Sequence, residues 1–515
     1  MMNSVYLLGI DIGTSGLKCV LIDEAGQLCA SAFREYAPDL PRPGWAEQDP
    51  AVWLHAAIAA VREVIEAGRV DRRSIAGLSF SGQMHSAVFL DRDRRVIRPA
   101  ILWLDTRNAL QVAALNRTID RSQLAAWIGN PVMPGFMLSS LLWLKEAEPE
   151  SGDRLACVLL AKDYVRLRLT GEIATDTSDA SSTALLDVQH RRWCTELLRA
   201  VNIPLDLLPP LRSSSEVVGH LLPDMAEAMN LPAGLPVICG AGDQEAQAIG
   251  NGIIRSGLLS STIGTGGQLF TPIAQYRSDP LLRIHTFCHA ISPRSTGDCF
   301  ATPLGSAGQA NARNDACPWH WQAATLTAGA SLRWLRDEVL GGRYSYQELA
   351  DAAASIEPGA EGLSFHPYLA GERTPHMNPN LRGSFTGLSL RHSWKHLTRA
   401  VMEGVVFSLY DGLELMRDLG AQFDQVIASG GATKHPLWLQ LQADMFGVPV
   451  RTTQTPEAAA FGAALLAGVG AGVFEDAAHA CDRCVKWSEE VYRPRTEMTA
   501  LYRELVKTWR GIGSS

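Results

Sequence analysis

Apolar residues in this chain follow two spacings. Short, mostly apolar runs occupy 5–10 and 17–23, then 75–80, 87–90 and 100–103, and later 236–240, 258–263 and 423–428. Runs of that length, bounded by Gly, Pro or Ser, read as buried strands. Elsewhere apolar residues recur three and four apart, over 52–67, 138–148, 396–419 and 436–446. That is the pattern of helices with one face in a core. Asp49-Pro50 offers a start for the first of these helices and Gly420 a stop for the third. The stretch 457–466 is Ala-rich around Gly462, which predicts a helix packed tightly on a neighbour. Strands mixed with helices in both halves predict an α/β fold. Prolines punctuate 204–210, and the run 236–240 enters Gly240-Ala241-Gly242-Asp243. A domain boundary is expected there, dividing the chain into 1–242 and 243–515.

Two of the strand runs empty into similar loops. The first reads Leu8-Gly9-Ile10-Asp11-Ile12-Gly13-Thr14-Ser15-Gly16, the second Ser261-Thr262-Ile263-Gly264-Thr265-Gly266-Gly267. Glycines permit a tight turn whose N–H groups converge, and the threonine hydroxyl adds a donor, which suits phosphate. Either loop alone also reads as an ordinary β-turn. Their pairing, with a carboxylate inside the first, predicts two related halves gripping one polyphosphate from opposite sides. No G-x-x-x-x-G-K-[ST] sequence occurs and no G-x-G-x-x-G follows the first strand, so neither a P-loop nor a dinucleotide fold is expected.

At 515 residues the chain exceeds one ordinary core, in keeping with two large domains. Hydrophobic residues at 46% and charged residues at 19% fit a globular protein. A net charge of −8 argues against a nucleic-acid binder relying on a broad basic surface. No apolar run is long enough to cross a bilayer, and Met1-Met2-Asn3-Ser4-Val5 has no basic segment of the kind that opens a signal peptide. Ten scattered cysteines read as reduced thiols, so a cytoplasmic location is expected. Cys481-Asp482-Arg483-Cys484 has His479 nearby but lacks the second pair that a structural zinc requires. His285, Cys288 and His289 lie among Ile284, Phe287 and Ala290, which fits a strand or core edge better than a metal site. The stretch 292–318, rich in Gly, Ala, Ser and Asn, reads as an insertion.

Longer motifs narrow the choice. Gly383-Ser384-Phe385-Thr386-Gly387-Leu388 is followed by His396-Leu397 and Ala400-Val401-Met402-Glu403. Gly82-Gln83-Met84-His85, Ala100-Ile101-Leu102-Trp103, Met133-Pro134-Gly135-Phe136, Lys162-Asp163-Tyr164 and Gly371-Glu372-Arg373-Thr374-Pro375-His376 complete the set. Together they resemble the FGGY family of carbohydrate kinases, within the group sharing the actin and hexokinase fold. Inside that family the chain is similar to xylulose kinases. It departs from the usual pattern at Leu104, Ser140, Gln244 and Gly266, which bears on the sugar more than on the reaction.

The resemblance implies two ribonuclease H-like domains with an active-site cleft between them. ATP and Mg²⁺ would be the cofactors, a small-molecule sugar the substrate, and a homodimer the assembly. Asp243 falls on the family's catalytic base; by itself it also reads as a cap for a helix starting near Glu245. Asp11 and Asp243 would hold the metal, since a lone carboxylate beside phosphates would repel them; Asp11 also fits a carboxylate tying its turn together. Thr14, Ser15, Gly264 and Thr265 would hold the phosphates. Lys18 either assists them or is a solvated strand residue. Gly430, Gly431 and Ala432 would pass close to the adenosine, though alone they read as a strand–helix turn. Met84, His85, Trp103 and Gln244 would face the sugar, with Asp105 a lesser candidate; a single histidine after a strand also fits a structural role. Arg373 and Thr374 either line the cleft or surround an ion pair of Glu372. The expected reaction is ATP-dependent phosphorylation of a ketopentose, D-xylulose above others. The alternatives are another sugar or polyol, a non-catalytic sensor, and an actin-like ATPase acting on protein partners. Met84-His85 argues against glycerol, since the family's glycerol kinases carry Arg-Glu there.

Overall fold

The structure, a computed structural model, describes residues 4–291, 317–455 and 457–512. The expected insertion at 292–318 therefore lies outside the described residues, apart from its last two. The chain begins with a meander of β1 (Tyr6–Ile12), β2 (Gly16–Asp23) and β3 (Leu28–Glu35). Helix α1 (Pro50–Gly68) follows, its Asp49 side chain accepting from the Ala51 amide as an N-cap. Then come β4 (Ile75–Gly82), β5 (Val217–His220), β6 (Pro236–Ile238), β7 (Ala241–Gly242) and α2 (Asp243–Gly250). The sheet order is β5-β6-β4-β1-β2-β3, with β7 also pairing β4. Strands β1, β4, β6 and β7 are parallel where they pair; the meander is antiparallel.

The second half repeats this plan. It comprises β8 (Gly257–Ile263), β9 (Gly267–Ile273), β10 (His285–Cys288), β11 (Trp319–Thr325), α3 (Trp394–Asp418), β12 (Phe423–Ser429), α4 (Pro436–Phe446) and β13 (Val450–Thr452). Its sheet order is β10-β11-β9-β8-β12-β13. Again a meander ends on the central strand and parallel strands β12 and β13 extend it. The two glycine loops are thus equivalent hairpins, β1–β2 and β8–β9. The expectation of two α/β domains of one topology holds. The strand expected over 100–103 shrinks to Ala100–Ile101, because Leu102 and Trp103 enter a turn.

Alternation along each strand divides the packing between two faces. Leu8, Ile10 and Leu17 face a core shared with α1, while Leu7, Val20 and Ile22 face α5 (Ala458–Gly470). Helix α5 is apolar nearly all round, as a fully buried helix must be. The chain passes from the first sheet to the second through α2 and returns through α5 to lie on β1 and β4. The two helices cross at very short range: a Cβ on Gly462 would lie 1.8 Å from the Ala246 carbonyl oxygen, and one on Gly250 2.0 Å from that of Ala458. A Cβ on Gly9 would likewise meet the Ala460 carbonyl at 2.0 Å. The helix Ala477–Cys484 stays near the first sheet, its Cys484 against Gly26. The last helix, Thr496–Ile512, returns to the second half, where Trp509 donates to the Phe365 carbonyl at 2.8 Å. Among the described residues no helix is long and apolar enough to cross a membrane.

Candidate active site

Strand register assembles the acidic centre. Asp11 pairs with Ser81 across β1 and β4, and Gly242 pairs with Gly82 across β7 and β4. Ser81 also pairs with Ala241, so Asp11, Ser81 and Ala241 stand abreast and Asp243 follows two residues beyond, all at the carboxyl ends of parallel strands, where α/β sheets bind ligands. Ser81 Oγ donates to Asp11 Oδ1 at 2.8 Å. Burial raises the pKa of Asp11. Burial, reinforced by the Asp11 charge, raises Asp243 to about 7, against the opposing pull of the neighbouring Gln244 side chain and amide. Two half-buried carboxylates that raise one another's energy, with oxygen donors only, fit a hard divalent cation such as Mg²⁺.

The glycine loops lie beside this centre. In the first, the Gly13 amide donates to the Gly16 carbonyl at 3.0 Å; in the second, the Gly264 amide donates to that of Gly266 at 2.9 Å. Each closure leaves two amides, Thr14 and Ser15 or Thr265 and Gly266, with no described acceptor. Those four N–H groups are free to meet a ligand. The side chains of the first loop and strand have partners within the protein. Thr14 Oγ1 donates to Gln83 Oε1 at 3.1 Å and accepts from Trp103 Nε1 at 2.9 Å, so its hydroxyl joins the loop to the substrate side. Lys18 is ion-paired with Glu457, at the head of α5, instead of standing free for phosphate.

A cavity of about 300 Å³ opens beyond the second loop. Its walls include Gly264, Thr265, Gly431 and Ala432, as expected, and also Arg333, Tyr346, Lys434 and Trp438. Gly430 does not line it. A left-handed φ of 84° and a gap that would put a Cβ 2.5 Å from the Ile263 carbonyl let Gly430 bring β12 against β8. The additional wall residues come from four separate elements, and only Lys434, just after the glycine turn, had a local sequence signal.

His85 and Met84, expected at the sugar, follow β4. His85 has a left-handed φ of 71° and stacks on Phe136 with centroids 4.0 Å apart. Strain of this kind concentrates where a side chain must be aimed. Its Nδ1 lies 2.6 Å from the Ser182 carbonyl, so Nδ1 carries the proton and donates, leaving Nε2 as an acceptor. Burial first, with the Arg373 charge in support, pushes its pKa down to about 3. Met84 is buried with its sulfur against the Gly242 backbone, beneath the Asp243 turn. Asp105 is a structural residue: it is buried, accepts from the Ala46 amide at 2.6 Å and pairs with Arg107 at 2.7 Å.

Behind the acidic centre is a buried charge network that the chain's linear order conceals. Lys162 Nζ lies 2.7 Å from Asp163, 2.8 Å from Asp176 and 3.3 Å from Asp179. Asp176 caps the helix Thr177–Ser181, and Ser178 Oγ accepts from the Gly242 amide at 3.3 Å. The network thus holds the turn that carries Asp243. His285, Cys288 and His289 lie on and just beyond β10, buried in the second half. Cys481 and Cys484 lie in a helix, Cys481 Sγ 3.3 Å from the Ile249 carbonyl.

Comparison with known proteins identifies the family. The profile of the FGGY family of carbohydrate kinases, N-terminal domain, matches residues 6–250, and that of its C-terminal domain matches 285–471. The xylulose kinase of Bacillus subtilis is 36% identical over 507 residues, 98% of this chain and 96% of the relative. That of Escherichia coli K12 is 37% identical over 465 residues, 90% of each. The crystal structure of a ligand-bound xylulose kinase from Lactobacillus acidophilus superposes with a TM-score of 0.89 at 28% identity, covering 98% of this chain and 97% of the other.

Proposed function

The chain belongs to the FGGY family of carbohydrate kinases and is itself a carbohydrate kinase, and we propose that it transfers the γ-phosphoryl group of ATP to D-xylulose, giving D-xylulose 5-phosphate. The observation that carries this reading is the position of Asp243. It follows β7, two residues beyond the Ala241–Ser81 pair that stands beside Asp11, close enough for the Asp11 charge to raise its pKa.

Phosphoryl transfer requires little beyond positioning and charge stabilisation. Asp243 accepts the proton of the terminal sugar hydroxyl as that oxygen attacks phosphorus. A carboxylate raised to about 7 by burial and by Asp11 is a better proton acceptor than an ordinary aspartate. His85 Nε2 accepts from another sugar hydroxyl, and Gln244 and Trp103 would contact further sugar hydroxyls. The free amides of Thr14, Ser15, Thr265 and Gly266 bind phosphate oxygens from both domains. Asp11 and Asp243 would hold Mg²⁺, which supplies charge neutralisation on the phosphates. The adenosine occupies the cavity beside Gly431 and Ala432. Closure of the domains about the α2–α5 crossing would exclude water that otherwise hydrolyses ATP.

The test is sugar-dependent ADP release with Mg-ATP, offered D-xylulose, D-ribulose, L-ribulose, L-xylulose, glycerol and gluconate in turn. A preference for D-xylulose that disappears in Asp243→Ala supports the reading. A preference for another sugar refutes the substrate and keeps the reaction.

A further inference from the structure

The sugar side of the cleft holds a charged group that this reaction leaves unused. Arg373 lies on a loop closed by reciprocal Glu372–Asn378 backbone bonds of 2.9 Å. The loop is stitched to β11 by the Thr374 amide, 3.0 Å from the Ala324 carbonyl, and by the Ala324 amide, 3.3 Å from Thr374 Oγ1. The buried Glu372 carboxylate is already filled. It accepts from Thr325 Oγ1 at 2.5 Å, Ser408 Oγ at 3.2 Å, the Leu326 amide at 3.2 Å and the Arg373 amide at 2.7 Å. It makes no salt bridge with the adjacent guanidinium. Arg373 is half-buried, yet its guanidinium has no hydrogen bond or ion pair with any described residue. Removing a cation from water without supplying acceptors is unfavourable, and a ligand bearing acceptors relieves it.

Its surroundings say which ligand. The loop meets β11 at Ala324, two residues from Gln322, which pairs with His285; the His285 ring lies 5.9 Å from that of Phe136, on which His85 stacks. Arg373 thus belongs to the His85–Phe136–His285 side of the cleft, where its charge helps to hold both imidazoles neutral. His285 is buried and its Nδ1 has no partner. Neutral imidazoles beside a fork of parallel N–H donors suit a ligand presenting two adjacent oxygen acceptors.

We propose that Arg373 binds the end of the sugar opposite the reacting hydroxyl, where two oxygens lie side by side: the C1 hydroxyl and C2 carbonyl of a ketose, or the carboxylate of a sugar acid. The inference rests on the kinase reading above. It makes substrate recognition span the cleft, with His85 from the first domain and Arg373 from the second.

The experiment compares wild type, Arg373→Gln and Arg373→Lys on D-xylulose, 1-deoxy-D-xylulose and D-xylonate. It measures steady-state kinetics, and sugar affinity by calorimetry. Arg373→Gln should raise KM and Kd for D-xylulose roughly 10- to 100-fold, with KM for ATP unchanged. The penalty should fall to within about threefold for the 1-deoxy sugar, which lacks one acceptor. Arg373→Lys should lie between, since it keeps the charge and loses the fork. D-xylonate bound by wild type and lost in Arg373→Gln identifies the carboxylate; D-xylulose alone behaving so identifies the ketose. Equal losses for both ketoses, unchanged affinity, or a matching rise in KM for ATP overturns the proposal. A wild type that binds sugar through Arg373 but turns none over refutes only the kinase reading. One that binds no sugar refutes both.

Discussion

Trp103 donates its indole N–H to the Thr14 hydroxyl at 2.9 Å, and that hydroxyl in turn donates a hydrogen bond to Gln83 Oε1 at 3.1 Å. The sugar side and the first phosphate loop are thereby mechanically joined. Trp103→Phe removes the donor and keeps most of the ring. It should raise KM for sugar and for ATP together, each by about 3- to 10-fold, the worth of one hydrogen bond. Steady-state kinetics with each substrate varied in turn checks this; a change confined to the sugar would show that the bond does not couple the two.

Asp243→Asn keeps the shape of the carboxylate and removes the base. Turnover should fall roughly 10²–10⁴-fold while calorimetry still detects sugar binding. Stability should move the other way. A carboxyl whose folded pKa is raised stabilises the fold while protonated, and that contribution is lost as pH rises through about 7. In metal-free buffer, Asp243→Asn should therefore melt above wild type on the alkaline side of that value. On the acidic side of the unfolded value the variant has no such advantage.

The pH profile follows from the same group. Asp243 acts as base only when ionised, so kcat/KM for sugar should rise with pH through a limb at or below about 7, bound metal favouring the ionised form. His85, held down at about 3, stays neutral throughout and contributes no limb. A rate that falls as pH rises through neutrality would contradict Asp243 as base.

Gly431 lines the nucleotide cavity, and a Cβ built on it meets nothing within 4 Å. Gly431→Leu should fold normally and narrow the cavity, raising KM for ATP by about tenfold or more with KM for sugar unchanged. An unaltered KM for ATP would move the adenosine elsewhere.

Gly462 offers the opposite case, since a Cβ there would lie 1.8 Å from the Ala246 carbonyl. Gly462→Ala should destabilise the protein by roughly 1–3 kcal/mol, because α5 and α2 must separate. Chemical denaturation measures it. Full stability would mean that the two helices do not cross as closely as described.

The chain's own order determined whatever depends on neighbours a few residues apart. Asp49-Pro50 starts α1 because a capping carboxylate and a preset φ act within one turn, and His435-Pro436 starts Pro436–Phe446 similarly, with the His435 imidazole as the cap. Ile-Gly-Thr followed by glycine announces a loop with free amides because the glycines act on their own backbone. The α/β class and the twofold plan were legible on those grounds. What only the tertiary structure decided depends on residues brought together by register and crossing helices. Lys162 acquires three aspartates, Lys18 is drawn off by Glu457, and Thr14 turns its hydroxyl to Gln83. Asp105 sinks onto Arg107, while Glu372 fills its carboxylate elsewhere and leaves Arg373 unpaired. A side chain's charge and hydrogen-bonding capacity are written in its type; which partner consumes them is set by distances between elements far apart in the chain.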